Sequence, residues 1–214
     1  MEVLAKVISW VFLPLFLPMY ALLLVLYVPS DQGDYFNMDC LYTLDPLRKW
    51  GLIYLFGVFC TLAPGASYVA LFRTKIISTI EIDDRRERSV PILIMFAYCL
   101  ALYLVLMYKL GPGQISKFAL ALPLSGAVVT GVFVLLNRWK KVSIHAGAAG
   151  IGTGFILAYI LHHTEYQLWM LTAMVIVSGA VMSARLYLGK HTMIEILVGW
   201  FTGTLLTFAI NYFY

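Results

Sequence analysis

The sequence predicts an all-α fold, a polytopic bundle of transmembrane helices with six to seven spans. Of the 214 residues, 62% are hydrophobic and only 12% are charged, whereas a soluble domain carries about 25% charged residues. The mean hydropathy of +0.87 agrees with that composition. A membrane span needs about 20 apolar residues. Seven stretches meet or approach this length, at about residues 7 to 28, 50 to 72, 91 to 108, 118 to 136, 146 to 161, 166 to 182 and 192 to 213.

These spans leave room for one bundle, so we expect residues 1 to 214 to form a single integral-membrane domain. The segment from Met1 to Lys6 leads directly into the first span without a small-residue cleavage site, which predicts that this span is retained as a helix. Cys40, Cys60 and Cys99 are odd in number, and two of them lie in apolar spans. They are therefore not expected to form a disulfide framework.

The first span carries Pro14 and Pro18, which predict a kinked or a re-entrant helix, and we favour the kinked one. The segment from Pro29 to Lys49 is rich in Asp, Asn and Gly. It reads as a solvated loop, because its acidic residues lack the regular ligand spacing of a calcium site.

The third and fourth spans are predicted to form a hairpin through the turn residues Lys109 to Gln114. The chain then returns to the side of the charged segment Arg73 to Pro91 and enters Asn137 to His145. A run of Gly and Ala follows. Glycines at a helix start let the backbone approach a ligand, and the amides of that end favour an anion. We therefore expect His145 at an anion-binding helix terminus.

His145 and His191 are 46 residues apart, enough for one helix out and one back. This spacing predicts that the two histidines lie at the same membrane face. His162 and His163 fall at the other end of the fifth span, too far to join His145, and are expected to be interfacial.

The segment Ser183 to Glu195 places polar groups at the mouth of a membrane-embedded chain. His191 and Glu195 are four residues apart, so on a helix they share a face and the carboxylate can accept the imidazole proton. Arg185 precedes them across a Leu-Gly break and can hold a phosphate or carboxylate in two hydrogen bonds. Thr192 and Glu195 also form a capping box, a reading compatible with the first. The segment predicts an anion pocket that contains a nucleophile.

The order Arg, five residues, His, three residues, acid resembles the third signature of the type 2 phosphatidic acid phosphatase superfamily, whose members are lipid phosphatases related in fold to vanadium haloperoxidases. The resemblance implies that His191 attacks phosphorus, Glu195 orients it and Arg185 binds phosphate. The acid is usually Asp, but Glu can do the same with one more methylene. Ala184 intervenes where the family has Ser next to Arg.

Ser143-Ile144-His145 resembles the family's second motif, Pro-Ser-Gly-His. The Pro is missing and Ile replaces Gly, but the chemically active His is present. The resemblance implies that Ser143 contacts phosphate and that His145 protonates the leaving alcohol, with Lys141 nearby as a further phosphate ligand.

The segment Arg73 to Pro91 weakly resembles the family's first motif, in which a Lys and an Arg immediately before a Pro bind phosphate. Here Val90 precedes Pro91, and no Lys lies at the family's distance. Arg88 and Arg85 are the candidate replacements, with Arg86 a third. The alternative is an interfacial helix whose charges pair with each other and with lipid headgroups. The resemblance covers about residues 75 to 205.

The resemblance implies a haloperoxidase-like helical core and a hydrolase of lipid phosphomonoesters or diphosphates that works through a phosphohistidine, with no metal and no cofactor. The expected partners are the bilayer and a phosphorylated membrane lipid or isoprenyl diphosphate, such as phosphatidic acid, phosphatidylglycerol phosphate, undecaprenyl diphosphate or a lipid A type; nucleic acid is not expected. One alternative is a non-catalytic protein of the same fold that binds lipid phosphates or acts as a scaffold. Another is a small transporter with an anion path, although the sequence has no convincing repeat.

We expect a multi-pass protein of the bacterial inner (cytoplasmic) membrane. With alternating spans, the face that carries the motifs has eleven basic residues and the other face has four. The positive-inside rule would place the motifs in the cytosol. Because a phosphate pocket is basic whichever way it faces, the five candidate phosphate-binding cations must be set aside. The remaining six against four do not decide the orientation.

Overall fold

The computed structural model describes residues 1–30, 40–79, 82, 84–110, 115–163 and 167–214. The predicted acidic loop and the Lys109 to Gln114 turn lie partly outside these residues. Within the described chain the structure is all-helical, with 80% helix and no strand. Its eight helices are α1 (Glu2–Val11), α2 (Leu17–Tyr27), α3 (Pro46–Arg73), α4 (Ser89–Leu110), α5 (Lys117–Leu136), α6 (Ile144–Leu161), α7 (Leu168–Tyr187) and α8 (Met193–Phe213).

Helices α3 to α8 are the six described helices that are long and apolar enough to cross a membrane. The protein is thus a plausible multi-pass membrane protein, and six of the predicted spans correspond to these helices within a few residues. The predicted first span does not form one kinked helix. It is divided into α1, of 10 residues, and α2, of 11 residues, each too short to span alone.

The break between α1 and α2 follows from proline chemistry. Pro14 and Pro18 carry no amide hydrogen, so they cannot donate to the carbonyls four residues earlier. Side chains bond two other carbonyls next to the break. The Tyr20 hydroxyl donates to the Val11 carbonyl at 3.0 Å, and the Thr61 hydroxyl of α3 donates to the Leu15 carbonyl at 3.0 Å. The break is therefore a defined part of the fold, joined to α3.

Helix α6 lies at the centre of the bundle, with 78% of its apolar window buried, against 22% for α8. Gly150 and Gly154 face α8, and Gly147 and Gly152 pack on Phe133 and Met174, so these glycines serve helix packing where the sequence predicted approach to a ligand. A Cβ on Gly150 would meet the Trp200 carbonyl, and a Cβ on Gly203 of α8 would meet the Gly147 carbonyl. Small residues thus allow the two backbones to approach closely, and this contact sets the separation between the segments that precede them.

The end of α6 opposite His145 is held by a buried polar cluster of Ser30, Cys40, Tyr159 and His163. The Tyr159 hydroxyl lies 2.8 Å from the Ser30 hydroxyl, and its ring stacks on His163 at 4.0 Å. The Cys40 sulfur lies 3.4 Å from the Ser30 hydroxyl. His163 is therefore buried within the protein, and its place at the membrane interface stays a prediction. All three cysteines of the chain are free thiols.

Candidate active site

Three polar segments meet at one end of the bundle, where α6 and α8 begin and α7 ends. The Lys141 ammonium donates to the Lys190 carbonyl at 2.9 Å, and the Ser143 amide donates to the Glu195 carbonyl at 3.2 Å. The Arg88 guanidinium donates to the Val142 carbonyl at 3.0 Å. These contacts join the three motif segments, and they place His145 and His191 at the same end of the bundle, as their spacing predicts.

The turn between α7 and α8 delivers His191 to this site. Gly189 adopts φ +64°, a left-handed conformation that favours glycine. The Gly189 amide donates to the Leu186 carbonyl and the Lys190 amide to the Arg185 carbonyl. This pair of bonds is the Schellman arrangement, which ends a helix and reverses the chain. His191 then comes immediately before the start of α8.

Glu195 has two functions in the first turn of α8. It completes a capping box with Thr192, and the same oxygen, Oε2, lies 2.9 Å from Nδ1 of His191. The predicted pairing of His191 with Glu195 and the capping box therefore coexist. A carboxylate at Nδ1 favours the tautomer with the proton on Nδ1, so Nε2 carries the lone pair that can act as a nucleophile. The His191 side chain is only 2% exposed.

His145 lies in the first turn of α6, two residues after the N-cap Ser143. The Ser143 hydroxyl accepts a bond from the Ala146 amide at 3.4 Å, so the side chain is used to start the helix. The His145 ring lies beside the backbone of Ser9 in α1, and both residues line the same cavity. Its Nε2 atom is buried and has no hydrogen-bond partner among the described residues. This nitrogen is thus available to exchange a proton with a ligand.

Two buried arginines supply positive charge. Arg185, in the last turn of α7, and Arg88, just before α4, are each 2% exposed. Nε of Arg88 donates to the Ile82 carbonyl at 2.9 Å, in addition to its bond to Val142. Because a buried guanidinium is costly unless it is well bonded, its retention in such a place indicates a use for its charge.

A cavity of about 140 Å³ connects these groups. His145, His191, Arg185 and Arg88 all line it, and no carboxylate is found among the described lining residues. Its remaining wall is mostly apolar and extends into the bundle between α5 and the α1–α2 break. The apolar lining includes Trp10, Leu13, Pro14, Leu15, Pro18, Met95, Val129, Phe133, Ala148 and Ile151.

The remaining predicted residues lie outside the described cavity lining. Lys141 reaches the Lys190 carbonyl, and Ser143 caps α6, as described above. Arg85 is exposed, and its guanidinium donates to the Trp139 carbonyl at 2.7 Å. Arg86 is also exposed. Of the three arginines proposed for the degenerate first motif, the structure brings only Arg88 to the cavity.

Helix α1 is the contribution that the motifs did not reveal. Ser9 lines the cavity and is 5% exposed, and its hydroxyl has no hydrogen-bond partner among the described residues. Ala5 and Ser9 are the buried positions of this short helix. The sequence held one signal for this contribution: Ser9 follows Ala5 by one helical turn, and their neighbours are large and apolar. Such a pattern is also typical of ordinary helix packing.

The described residues contain no group of three or more His, Cys, Asp or Glu side chains that could hold a metal ion. Comparison with known proteins adds no assignment, because no protein-family model, curated protein or solved structure matches this chain. What the site can do therefore follows from its own geometry: it can hold an anion beside a carboxylate-oriented imidazole and a second imidazole with an open nitrogen.

Proposed function

We propose that this protein is a membrane-embedded lipid phosphatase that cleaves a phosphomonoester or diphosphate of a lipid through a phosphohistidine intermediate. The observation that carries the proposal is the convergence of His145, His191, Arg185 and Arg88 on one cavity, with Glu195 bonded to His191. Membership of the type 2 phosphatidic acid phosphatase superfamily, its haloperoxidase-like core and a bacterial inner membrane location are parts of the same proposal.

Phosphate binding rests on the two buried arginines. A guanidinium matches the geometry of a phosphate and can donate two parallel hydrogen bonds to it. Both guanidinium groups line the same cavity, so their positive charge acts on an anion bound there. Donors fixed around the phosphoryl oxygens stabilise the charge of the transition state, which is usually the largest contribution to catalysis.

In the first step, Nε2 of His191 attacks phosphorus and the bond between phosphorus and the lipid oxygen breaks. The departing oxygen takes a proton from Nε2 of protonated His145, so a neutral alcohol leaves, or a lipid phosphate where the substrate is a diphosphate. Glu195 accepts the Nδ1–H bond of His191 and stabilises the positive charge that forms on its ring. The product of this step is a phosphohistidine.

In the second step, water attacks the phosphohistidine. His145, now neutral, takes a proton from the water as the nitrogen–phosphorus bond breaks, so inorganic phosphate is released and both histidines return to their starting states. A second lipid alcohol in place of water would give phosphotransfer by the same route. Each role needs only the groups that the cavity brings together.

The shape of the site favours a substrate with an apolar chain. The polar groups lie at helix ends, while residues such as Met95, Val129 and Ile151 lie deeper along α4, α5 and α6. A phosphate at the polar end would leave the attached chain among apolar side chains, whose burial is favourable by about 0.8 kcal/mol per methylene. The substrate classes are therefore phosphatidic acid, phosphatidylglycerol phosphate, undecaprenyl diphosphate and lipid A types.

The test is phosphate release from a panel of these lipids by the purified protein in detergent. His191→Ala and His145→Ala should each lower release by about 100-fold or more, the usual scale for nucleophilic and acid–base groups. His162→Ala is the matched control, because His162 lies at the other end of α6 and bonds the Ala158 carbonyl. Its activity should stay at the wild-type value.

If no lipid in the panel yields phosphate, or if release is unchanged in His191→Ala, the hydrolase proposal is wrong. Binding of lipid phosphate without release would then support the alternative, a non-catalytic lipid-phosphate-binding or scaffold protein.

A further inference from the structure

We propose that Ser9 of α1 contacts the substrate next to His145. Its hydroxyl donates a hydrogen bond to the oxygen that links phosphorus to the lipid, or to the nearest lipid oxygen. The inference rests on the proposed function and adds to it a group that lies outside all three motif segments. It makes the short N-terminal helix a part of the active site.

The first support is the state of the hydroxyl. Ser9 lines the cavity, is 5% exposed and has an Oγ with no hydrogen-bond partner among the described residues. Burying a hydroxyl without a partner costs about 1–3 kcal/mol in proteins. A serine inside a helix commonly avoids this cost by bonding the carbonyl four residues earlier. Ser9 does not, so its hydroxyl is left for a ligand in the cavity.

The second support is the backbone of the same residue. Ser9 lies in the last turn of α1, where carbonyls have no helical donor because the helix ends. The His145 ring lies beside this backbone. Because Nε2 has no hydrogen-bond partner among the described residues, Nδ1 is the ring nitrogen that can donate to the Ser9 carbonyl. In that arrangement Nε2 is left for the ligand.

The unpartnered hydroxyl and the neighbouring His145 ring together indicate where Ser9 acts. In the proposed reaction, His145 exchanges its proton with the oxygen that links phosphorus to the lipid. Ser9 lies beside the His145 ring and lines the same cavity, so we place its hydroxyl on the leaving-group side of the phosphate. It can donate to that linking oxygen or to the nearest lipid oxygen. Inorganic phosphate, the product, has no such group.

The ordinary explanation of Ser9 is helix packing, since Ala5 and Ser9 are the buried residues of α1 and this helix packs on α7. Ser9→Ala separates the two explanations. Alanine keeps the helix and nearly all of the packing, and it removes an unsatisfied polar group, so the thermal stability should be unchanged or higher. A substrate contact instead predicts weaker binding and slower turnover in a protein of full stability.

The experiment has a turnover arm and a binding arm. In turnover, Ser9→Ala should lower kcat/KM for the lipid by about 10- to 100-fold, the effect of one hydrogen bond to a charged ligand. Binding is measured in the His191→Ala background with phosphatidic acid in detergent micelles and with inorganic phosphate. Adding Ser9→Ala should weaken phosphatidic acid binding by about 10-fold and leave phosphate binding unchanged.

Thr207→Val is the matched control. Thr207 also has a buried hydroxyl with no partner among the described residues, but it does not belong to the described cavity lining. Removal of the Thr207 hydroxyl should change neither kcat/KM nor the binding of phosphatidic acid. Ser9→Thr, which keeps a hydroxyl, should recover part of the lost activity.

Equal kcat/KM and equal phosphatidic acid binding with and without the Ser9 hydroxyl would overturn the proposal, as would an activity loss that merely follows a loss of stability. Failure to bind phosphatidic acid in the His191→Ala background would overturn it too. A wild-type protein that binds phosphatidic acid but releases no phosphate would refute the hydrolase alone, because the binding arm does not depend on turnover.

Discussion

At the scale of single residues, the candidate site depends on which side chains bond the backbone and which line the cavity. Ser143 and Glu195 both work as helix caps, yet Glu195 also reaches His191. Arg88 is held by two backbone carbonyls while it lines the cavity. Arg85, three residues earlier, bonds carbonyls at the surface. Neighbouring residues of one charge thus have different roles.

This difference gives a matched pair of variants. Arg88→Ala should lower kcat/KM for a lipid phosphate by about 10²-fold or more, the scale seen when one transition-state donor is removed. Arg85→Ala should stay within a few-fold of wild type, because its guanidinium is exposed. Both are measured per folded protein, with thermal unfolding alongside, since Arg88→Ala leaves the Ile82 and Val142 carbonyls without this donor. Equal losses in the two variants would contradict the assignment.

A second residue-scale prediction concerns Cys40, outside the spans. Burial acts to raise the pKa of its thiol, but hydrogen bonds from His163, Ser30 and Tyr159 outweigh it and lower the pKa to about 6. The thiolate absorbance, taken as wild type minus Cys40→Ala, should therefore rise with a midpoint near pH 6. The pKa of the Cys40 thiol in the folded protein is below that of an unfolded thiol. The contribution of Cys40 to the free energy of unfolding should therefore increase as the pH rises from about 6 to about 8.5 and stay constant above that pH.

A midpoint near pH 8.5 in that difference titration would show that the three hydrogen bonds do not stabilise the thiolate.

At the scale of helices, the decisive contact is the close approach of α6 and α8. It brings the His145 end of α6 to the His191 end of α8 because glycines on both helices leave room for the facing backbone. The sequence revealed the small residues of α6 but not their partner. Only the packing of α8 against α6 shows that these glycines serve helix contact rather than ligand approach.

Gly203→Ala should therefore destabilise the protein by about 1–3 kcal/mol, because the added methyl meets the Gly147 carbonyl and the helices must separate. Lipid phosphatase activity should fall with it, since the two histidines move apart. Gly179→Ala in α7 is the control, because a Cβ there meets no atom within 4 Å. Thermal unfolding in detergent measures both, and equal unfolding temperatures would contradict this role of the α6–α8 contact.

The α1–α2 break marks the limit of prediction from the sequence at this scale. The two prolines predict a disturbance of the helix, and the apolar length predicts a span. Whether the segment forms one span or two short helices depends on the hydrogen-bond donors that reach the carbonyls at the break. Tyr20 and Thr61 provide them, and Thr61 lies 46 residues away from Leu15. Tertiary contacts of that kind are invisible in local composition, so Ser9 and the cavity wall from α1 were missed.

At the scale of the whole molecule, hydropathy predicted six to seven spans, and six of them are long apolar helices because a bilayer demands such helices. The three motif segments were predicted on one face because the intervening helices alternate in direction. The number of basic residues on each face could not decide whether the motifs face the cytosol. The cations of the candidate site are among the residues that the positive-inside rule counts.

Labelling in intact cells resolves the orientation. In a cysteine-free background, Trp139→Cys and Leu168→Cys place single exposed thiols at opposite ends of the bundle. A membrane-impermeant maleimide should label one of them before lysis and both afterwards. The labelled position identifies the outer face. Labelling of both in intact cells, or of neither after lysis, would contradict the alternation of the six spans.

The central claim is that His191 is the nucleophile, and the most direct test is to trap the phosphoryl group on it. The protein is mixed with phosphatidic acid carrying labelled phosphate, quenched at alkaline pH within the first turnover and digested for mass spectrometry. The account predicts phosphate on the peptide containing His191, less of it in Glu195→Gln and none in His191→Ala. Turnover with no label on His191, or with the label on His145, would contradict it.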